Sequence, residues 1–119
     1  MNSPLRIALI GAGNMGQQHY QHLQSLTEAT LCAVADPGPQ AASLAAQWGV
    51  ACFADHRQML EQAKPDAVIV ANPNTQHVST ALDCLAAGVP VLLEKPVGVH
   101  LAEARELVAA SKASGVPVL

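Results

Sequence analysis

The chain has 119 residues, the size of one domain, half of them hydrophobic and only 3% aromatic, so its core must be built from Ala, Val, Leu and Ile. A net charge of −3 with no basic stripe argues against nucleic-acid binding through phosphate neutralisation. No apolar run approaches the ~18 residues that span a bilayer, and the N-terminal Leu5–Ile10 run is too short for a signal-peptide core.

Charged residues make up 13% of the chain, well below the ~25% of an average domain, which points to surface covered by another domain or subunit. The three cysteines, Cys32, Cys52 and Cys84, follow no metal-ligand spacing, and their odd number argues against a closed disulfide framework. They read as buried thiols of a protein in a reducing cytoplasm.

In chain order, Leu5 to Ile10 is a short apolar run and reads as a strand. Residues 14–26 follow as a helix, with Gly16, Tyr20, Leu23 and Leu26 along one stripe. Thr30 to Ala35 is a second strand, and residues 39–48 a second helix with Ala41, Leu44, Ala45 and Trp48 on one face. Gly49 stops that helix, as glycine tolerates the left-handed conformation of a C-cap. Ala51 to Phe53 is a third, short strand.

Asp55, with Gln58 three residues on, has the pattern of a capping box opening a third helix. Pro65 ends it, and Ala67 to Val70 is a fourth strand. Val78, Ala81, Leu82 and Leu85 mark a fourth helix closed by Gly88, and Val91 to Leu93 a fifth strand. Leu101, Ala104 and Val108 mark a fifth helix closed by Gly115, and Val116 to Leu119 begins a sixth strand.

Repeated βα units with short links imply an α/β fold with a doubly wound parallel sheet, the Rossmann fold, of strand order 3-2-1-4-5-6. Nothing in residues 1–119 marks a linker or a second domain. Because the sequence stops inside an apolar strand, it reads as a dinucleotide-binding domain from a longer protein.

The chemistry begins at Gly11-Ala12-Gly13-Asn14-Met15-Gly16, a G-x-G-x-x-G run between a strand and a helix, the context that such a phosphate loop requires. Gly11 permits the tight turn, Gly13 lets backbone approach a pyrophosphate, and Gly16 lets the helix pack closely. Asn14 and Met15 contribute backbone N–H groups at the positive end of the helix dipole.

Asp36 ends the second strand, twenty residues beyond Gly16, where a carboxylate accepts hydrogen bonds from an adenosine ribose. Its other reading is a cap on the turn at Pro37. A carboxylate there repels a 2′-phosphate, and Ala35, Pro37, Gly38 and Pro39 supply no arginine, so NAD is favoured over NADP. Arg6 and Arg57 remain candidates to approach in space.

Ligands of open α/β sheets lie beyond the carboxyl ends of the strands. The fourth strand leads into Asn72-Pro73-Asn74-Thr75-Gln76-His77, and the fifth into Glu94-Lys95-Pro96. Asn72 and Asn74 are candidates to hydrogen-bond a ribose, although Asn74 or Thr75 serves equally as a helix N-cap. His77 faces the site or serves the fold. Glu94 and Lys95 are either a solvated pair at a strand end or functional groups, with Lys95 moving a proton.

These segments together resemble the N-terminal domain of the Gfo/Idh/MocA oxidoreductases. They are Ile7 to Gly16, Ala35-Asp36-Pro37, Asn72 to His77 and, most specifically, Ala87-Gly88-Val89-Pro90-Val91-Leu92-Leu93-Glu94-Lys95-Pro96. The resemblance spans essentially the whole chain. It implies hydride transfer between a nicotinamide ring and a hydroxyl-bearing carbon of a sugar, polyol or related molecule. It further implies that Lys95 is catalytic, that Glu94 lies near the nicotinamide ribose and that the Lys95–Pro96 bond is cis.

Val99-His100 replaces the family's usual Thr or Ser before the next helix. The family's C-terminal α/β domain, which supplies most substrate contacts and usually the oligomer interface, has no counterpart here. The isolated chain is therefore expected to bind NAD and to turn over little or nothing. The residues also allow a non-catalytic redox-sensing module, or a Rossmann-like domain for S-adenosylmethionine or coenzyme A, the former disfavoured by the pyrophosphate loop.

Overall fold

The computed structural model describes residues 3–95, 98 and 100–119. The elements alternate as β1 (Leu5–Ile10), α1 (Asn14–Gln24), β2 (Ala29–Ala35), α2 (Gln40–Trp48), β3 (Ala51–Phe53), α3 (His56–Ala63), β4 (Ala67–Val70), α4 (His77–Ala86), β5 (Val91–Leu93) and α5 (Leu101–Ser114), with a single 3₁₀ turn, Asn74–Gln76, before α4.

The five strands form one parallel sheet in the order β3-β2-β1-β4-β5. The sixth strand expected from the sequence does not form. Residues 116–119 lie parallel to the outer edge of β5, held by an isolated bridge from Val91 to Val118 and by the Leu93 N–H, which donates to the Leu119 carbonyl at 2.8 Å. Val91 donates to the Pro117 carbonyl at 3.1 Å, and Leu119 donates back to the Val91 carbonyl at 2.8 Å. Pro117 has no N–H to give a ladder. The described sheet is therefore 3-2-1-4-5.

The central strands are buried on both faces, as expected for parallel strands, while Leu92 of β5 is 41% exposed. Ala8, Ile10, Ala33, Ala35, Val68 and Val70 point to a core closed by Met59, Leu85 and Leu107 of α3, α4 and α5. Leu9, Leu31, Val34 and Ile69 point the other way, to Leu23 of α1 and Ala41 of α2. Tyr20 stacks on Trp48, with ring centroids 4.2 Å apart and an interplanar angle of 13°, which joins α1 to α2.

Local chemistry explains the element ends. α1 stops at Gln24, two residues short of the expected end, because the Ser25 hydroxyl and N–H both donate to the His22 carbonyl. Gly49 caps α2 and Gly115 caps α5, with φ of 71° and 74°. The Asp55 side chain caps α3, accepting from the Arg57 N–H at 2.9 Å. Lys64, at φ 47°, then ends that helix before Pro65.

The expectation of buried thiols holds for Cys84 and fails for Cys52, which is exposed because β3 is an edge strand; Cys32 is half-buried. Among the described residues, no helix is long and apolar enough to cross a membrane.

The register aligns the carboxyl ends of the strands. Ile10 pairs with Ala35 and Val70, Ala35 with Phe53, and Val70 with Leu93. The backbone pairing continues one residue further. Gly11 donates to the Ala35 carbonyl at 2.9 Å, Asp36 to Phe53 at 2.9 Å, Ala71 to Ile10 at 2.7 Å and Glu94 to Val70 at 3.1 Å. Gly11, Asp36, Ala54, Ala71 and Glu94 thus follow their strands at one edge of the sheet.

Candidate cofactor site

The loop from Gly11 to Gly16 is shaped by contacts that admit no side chain at two of its glycines. Gly11 has φ +104°, and a Cβ there would lie 2.5 Å from the Ala71 carbonyl oxygen. A Cβ on Gly16 would lie 2.0 Å from the Gly11 carbonyl oxygen. The loop is therefore folded tightly on itself and on the residue after β4.

Gly13 is different. Its φ of −78° suits any residue, and a Cβ built there would meet nothing within 4 Å. No side chain caps α1, and its first turn carries no acid. The first N–H groups of a helix have no acceptor within it, so this end of α1 offers donors and a positive dipole end to a ligand or solvent.

Asp36 faces that helix start from the next strand. Its Oδ2 accepts from the Ala12 N–H at 2.7 Å, and its Oδ1 from the Gly38 N–H at 2.6 Å. The two alternatives read from the sequence coexist, since the carboxylate shapes the turn after β2 and also reaches the phosphate loop. Each oxygen keeps a lone pair for a further donor.

A cleft of about 540 Å³ opens between these groups. Gly11, Gly13, Asn14, Met15 and Asp36 form one side, and Ala71, Asn72, Pro73 and Gln76 the other. Pro37, Gly38, Gln40, Ala54 and His56 close the end beyond Asp36. Among the described residues, no Lys or Arg lines it. Arg6 instead donates to the Lys64 carbonyl at 3.0 Å, and Arg57 to Asp83 at 3.2 Å.

Asn72 is half-buried in the cleft wall. Its Nδ2 donates to Thr80 Oγ at 2.9 Å, while its buried Oδ1 has no hydrogen-bond partner. A buried acceptor left unmatched is costly, and a bound donor would relieve it. Together with the uncapped helix start and the open space at Gly13, this fits a ligand carrying both phosphate and hydroxyl groups.

The remaining candidates lie outside the cleft. Gly16 sits beneath the loop. Asn74 is exposed in the 3₁₀ turn and makes no side-chain cap; Pro73 takes the cap position. His77 is 1% exposed, and its Nε2 is 2.8 Å from the Asn72 carbonyl oxygen, so it shapes the wall from behind rather than facing a ligand. Glu94 pairs with His19 of α1, and Lys95 is exposed. The cis geometry expected at Lys95–Pro96 and the expectation for Val99 fall outside the described residues.

His19 and His56 were not singled out in the sequence. His19 lies three residues past Gly16, on the same side of α1, which was the available signal. His56 lines the cleft while its Nε2 lies 2.7 Å from Asp83 Oδ2, a pairing that no local spacing announces.

Comparison with known proteins agrees with this architecture. Residues 5–119 match the GFO_IDH_MocA family, described as an oxidoreductase family with an NAD-binding Rossmann fold. The rhizopine catabolism protein MocA of Rhizobium meliloti is 38% identical over 101 residues, covering 85% of this chain and 32% of that protein. Inositol 2-dehydrogenase 2 of Paenarthrobacter aurescens is 36% identical over 108 residues, 90% of this chain and 32% of the relative. D-glucoside 3-dehydrogenase of Escherichia coli is 39% identical over 109 residues, 89% and 31% respectively.

The crystal structure of the WlbA dehydrogenase from Bordetella pertussis, in complex with NADH and UDP-GlcNAcA, superposes with a TM-score of 0.92 at 27% identity. It covers 97% of this chain and 36% of that one. The chain thus spans about a third of the length of the relatives it matches. Its loop, its sheet and these likenesses converge: the chain belongs to the Gfo/Idh/MocA oxidoreductases and carries that family's NAD-binding Rossmann fold.

Proposed function

We propose that residues 1–119 form the cofactor domain of a dehydrogenase that oxidises or reduces a hydroxyl-bearing carbon of a polyol or sugar. The observation that carries this reading is a single cleft that joins the uncapped start of α1, open above Gly13, to the carboxylate of Asp36. A pyrophosphate is held by the N–H groups of Gly13, Asn14 and Met15, and the adenosine ribose by Asp36. Gly11 and Gly16 keep the loop in shape for it. The acidic, cation-free wall beside Asp36 selects NAD over NADP.

The other half of the dinucleotide runs past Asn72 toward the ends of β4 and β5, where Asn74, His77, Glu94 and Lys95 stand. When bound, NAD supplies a two-electron hydride acceptor. Lys95 Nζ takes the hydroxyl proton in the oxidative direction and returns it in the reductive one. Glu94 borders the nicotinamide ribose, and Asn72 Oδ1 is an acceptor for one of its hydroxyls. His77 supports the Asn72 backbone.

The substrate class rests on the names of the relatives, which include inositol 2-dehydrogenases and a glucoside 3-dehydrogenase. Lys95 lies at an exposed position, so the substrate is enclosed only when a second domain closes over it. The small share of the relatives that this chain spans supports such a domain; a homo-oligomer built through it is part of the same proposal. Three free cysteines suit a reducing cytoplasm.

A second reading, a nucleotide-binding module without turnover, is favoured by the placement of Lys95 outside the cleft. In the longer protein, Lys95→Ala separates the two. The enzyme reading predicts that kcat collapses while NAD affinity stays within about threefold, less than the 1.4 kcal/mol of a tenfold change. Unchanged turnover contradicts it. For the cofactor assignment, calorimetric titration of the chain with NAD, NADP and S-adenosylmethionine is decisive: NAD binds most tightly, and preference for S-adenosylmethionine overturns the reading.

A further inference from the structure

We propose that His19 is a positioning residue for the nicotinamide half of the dinucleotide, acting by holding Glu94. The inference rests on the dinucleotide reading above and goes beyond it by assigning a task to a side chain on α1.

The sheet order sets the frame. Asp36 follows β2 on one side of β1, so the far half of a ligand lying across the phosphate loop must extend over β4 and β5. Glu94 is the first residue after β5. Its backbone is tied to β4 by the 3.1 Å hydrogen bond from its N–H to the Val70 carbonyl. Its carboxylate crosses back toward α1, where Oε1 meets His19 Nε2. The two side chains are 24% and 17% exposed, so solvent reaches this pair only in part.

His19 sits on the helix whose first turn ends the phosphate loop, three residues after Gly16. One contact therefore connects the helix that receives the pyrophosphate to the segment that bears Glu94 and Lys95. Without it, the Glu94 side chain is free to turn among its rotamers. A carboxylate held in one orientation before the ligand arrives loses less rotamer entropy on binding. The benefit falls on the ligand half that lies against Glu94 and leaves the adenosine half untouched.

That asymmetry is the test. NAD and ADP share the adenosine and the pyrophosphate, and only NAD carries the second ribose and the nicotinamide whose placement Glu94 would govern. Affinities of the chain for both are measured by calorimetry for wild type, His19→Ala, His19→Gln, Glu94→Ala and the double alanine variant. His19→Ala weakens NAD about tenfold, the equivalent of one charge-assisted hydrogen bond, and ADP less than about twofold. His19→Gln places an amide near the position of Nε2 and recovers most of the loss. Glu94→Ala matches His19→Ala, and the double variant is no worse than either alone.

Equal losses for NAD and ADP would show that His19 merely braces α1, and additive losses would show that the pair does not act as a unit; either overturns the proposal. Unaltered NAD affinity in His19→Ala does so as well. Should His19→Ala lose its helical circular dichroism, His19→Gln carries the comparison, and its failure to separate from Glu94→Ala supports a bracing role and overturns positioning. If wild type binds neither NAD nor ADP, the dinucleotide reading itself fails.

Discussion

Asp36 Oδ2 lies 2.7 Å from the backbone nitrogen of Ala12, so the carboxylate that ends β2 is fastened to the loop that opens α1. Its other oxygen takes the Gly38 N–H at 2.6 Å. One side chain thus sets the distance between the ribose end of the cleft and its phosphate end.

Asp36→Ala therefore loses on two counts. Stability falls by about 1–3 kcal/mol as two charge-assisted hydrogen bonds disappear, and NAD affinity falls at least about tenfold. Asp36→Asn keeps one acceptor and lies between. Urea melts and calorimetry measure the two effects separately; an Asp36→Ala variant with wild-type NAD affinity would remove the ribose from this position.

The same carboxylate governs the choice of cofactor. Among the described residues no Lys or Arg lines the cleft, and His56, which does, is paired with Asp83, so a 2′-phosphate would meet the Asp36 carboxylate without a dedicated cation. The chain should prefer NAD over NADP by at least about tenfold, and Asp36→Ser should narrow the ratio by relieving the repulsion between like charges. Parity between NAD and NADP in the wild type would contradict this.

Gly16 carries structure rather than contact. A Cβ at 2.0 Å from the Gly11 carbonyl oxygen displaces backbone, which cannot swing aside as a side chain can. Gly16→Ala should cost about 1–3 kcal/mol in a urea melt, as over-packing does, and broaden into loss of NAD binding because the loop above it moves.

The thiols separate by burial. Burial pushes the Cys84 thiol up to about 12, with the Asp83 carboxylate adding to the effect, and desolvation raises Cys32 as well. In native protein at pH 8, Cys52 reacts first with a disulfide reagent and Cys84 only on unfolding. The linkage has a definite sign. Between the ordinary thiol value of 9.0 and about 12, unfolded Cys84 has lost its proton and folded Cys84 has kept it, so stability falls as pH rises through that window. A rise in stability there, measured relative to a Cys84→Ala control, would be the wrong sign.

Much of this was legible because local chemistry wrote it. Gly49 and Gly115 announced helix ends by their need for positive φ, and Asp55 announced a helix start, although its partner is the Arg57 N–H and not a reciprocal box with Gln58. Gly11, Gly13 and Gly16 were legible as a loop, while the division of labour among them depends on which atoms stand opposite. The His19–Glu94 pair spans 75 residues, and only the closing of the sheet brings it together. His77 was ambiguous because a histidine at a helix start is equally suited to a ligand and to a buried carbonyl; the Asn72 carbonyl takes it. The sixth strand was overstated because apolar content alone does not reveal that Pro117 withholds a donor.

The most direct test of the whole account is Gly13→Ala, followed by urea melting and NAD calorimetry on the same sample. A Cβ at Gly13 meets no protein atom within 4 Å, and its backbone conformation suits alanine, so stability should stay within about 1 kcal/mol of wild type. If that space receives the pyrophosphate, NAD affinity drops at least about tenfold in a fully folded protein. A folded Gly13→Ala chain that binds NAD as tightly as wild type would contradict the placement of the cofactor.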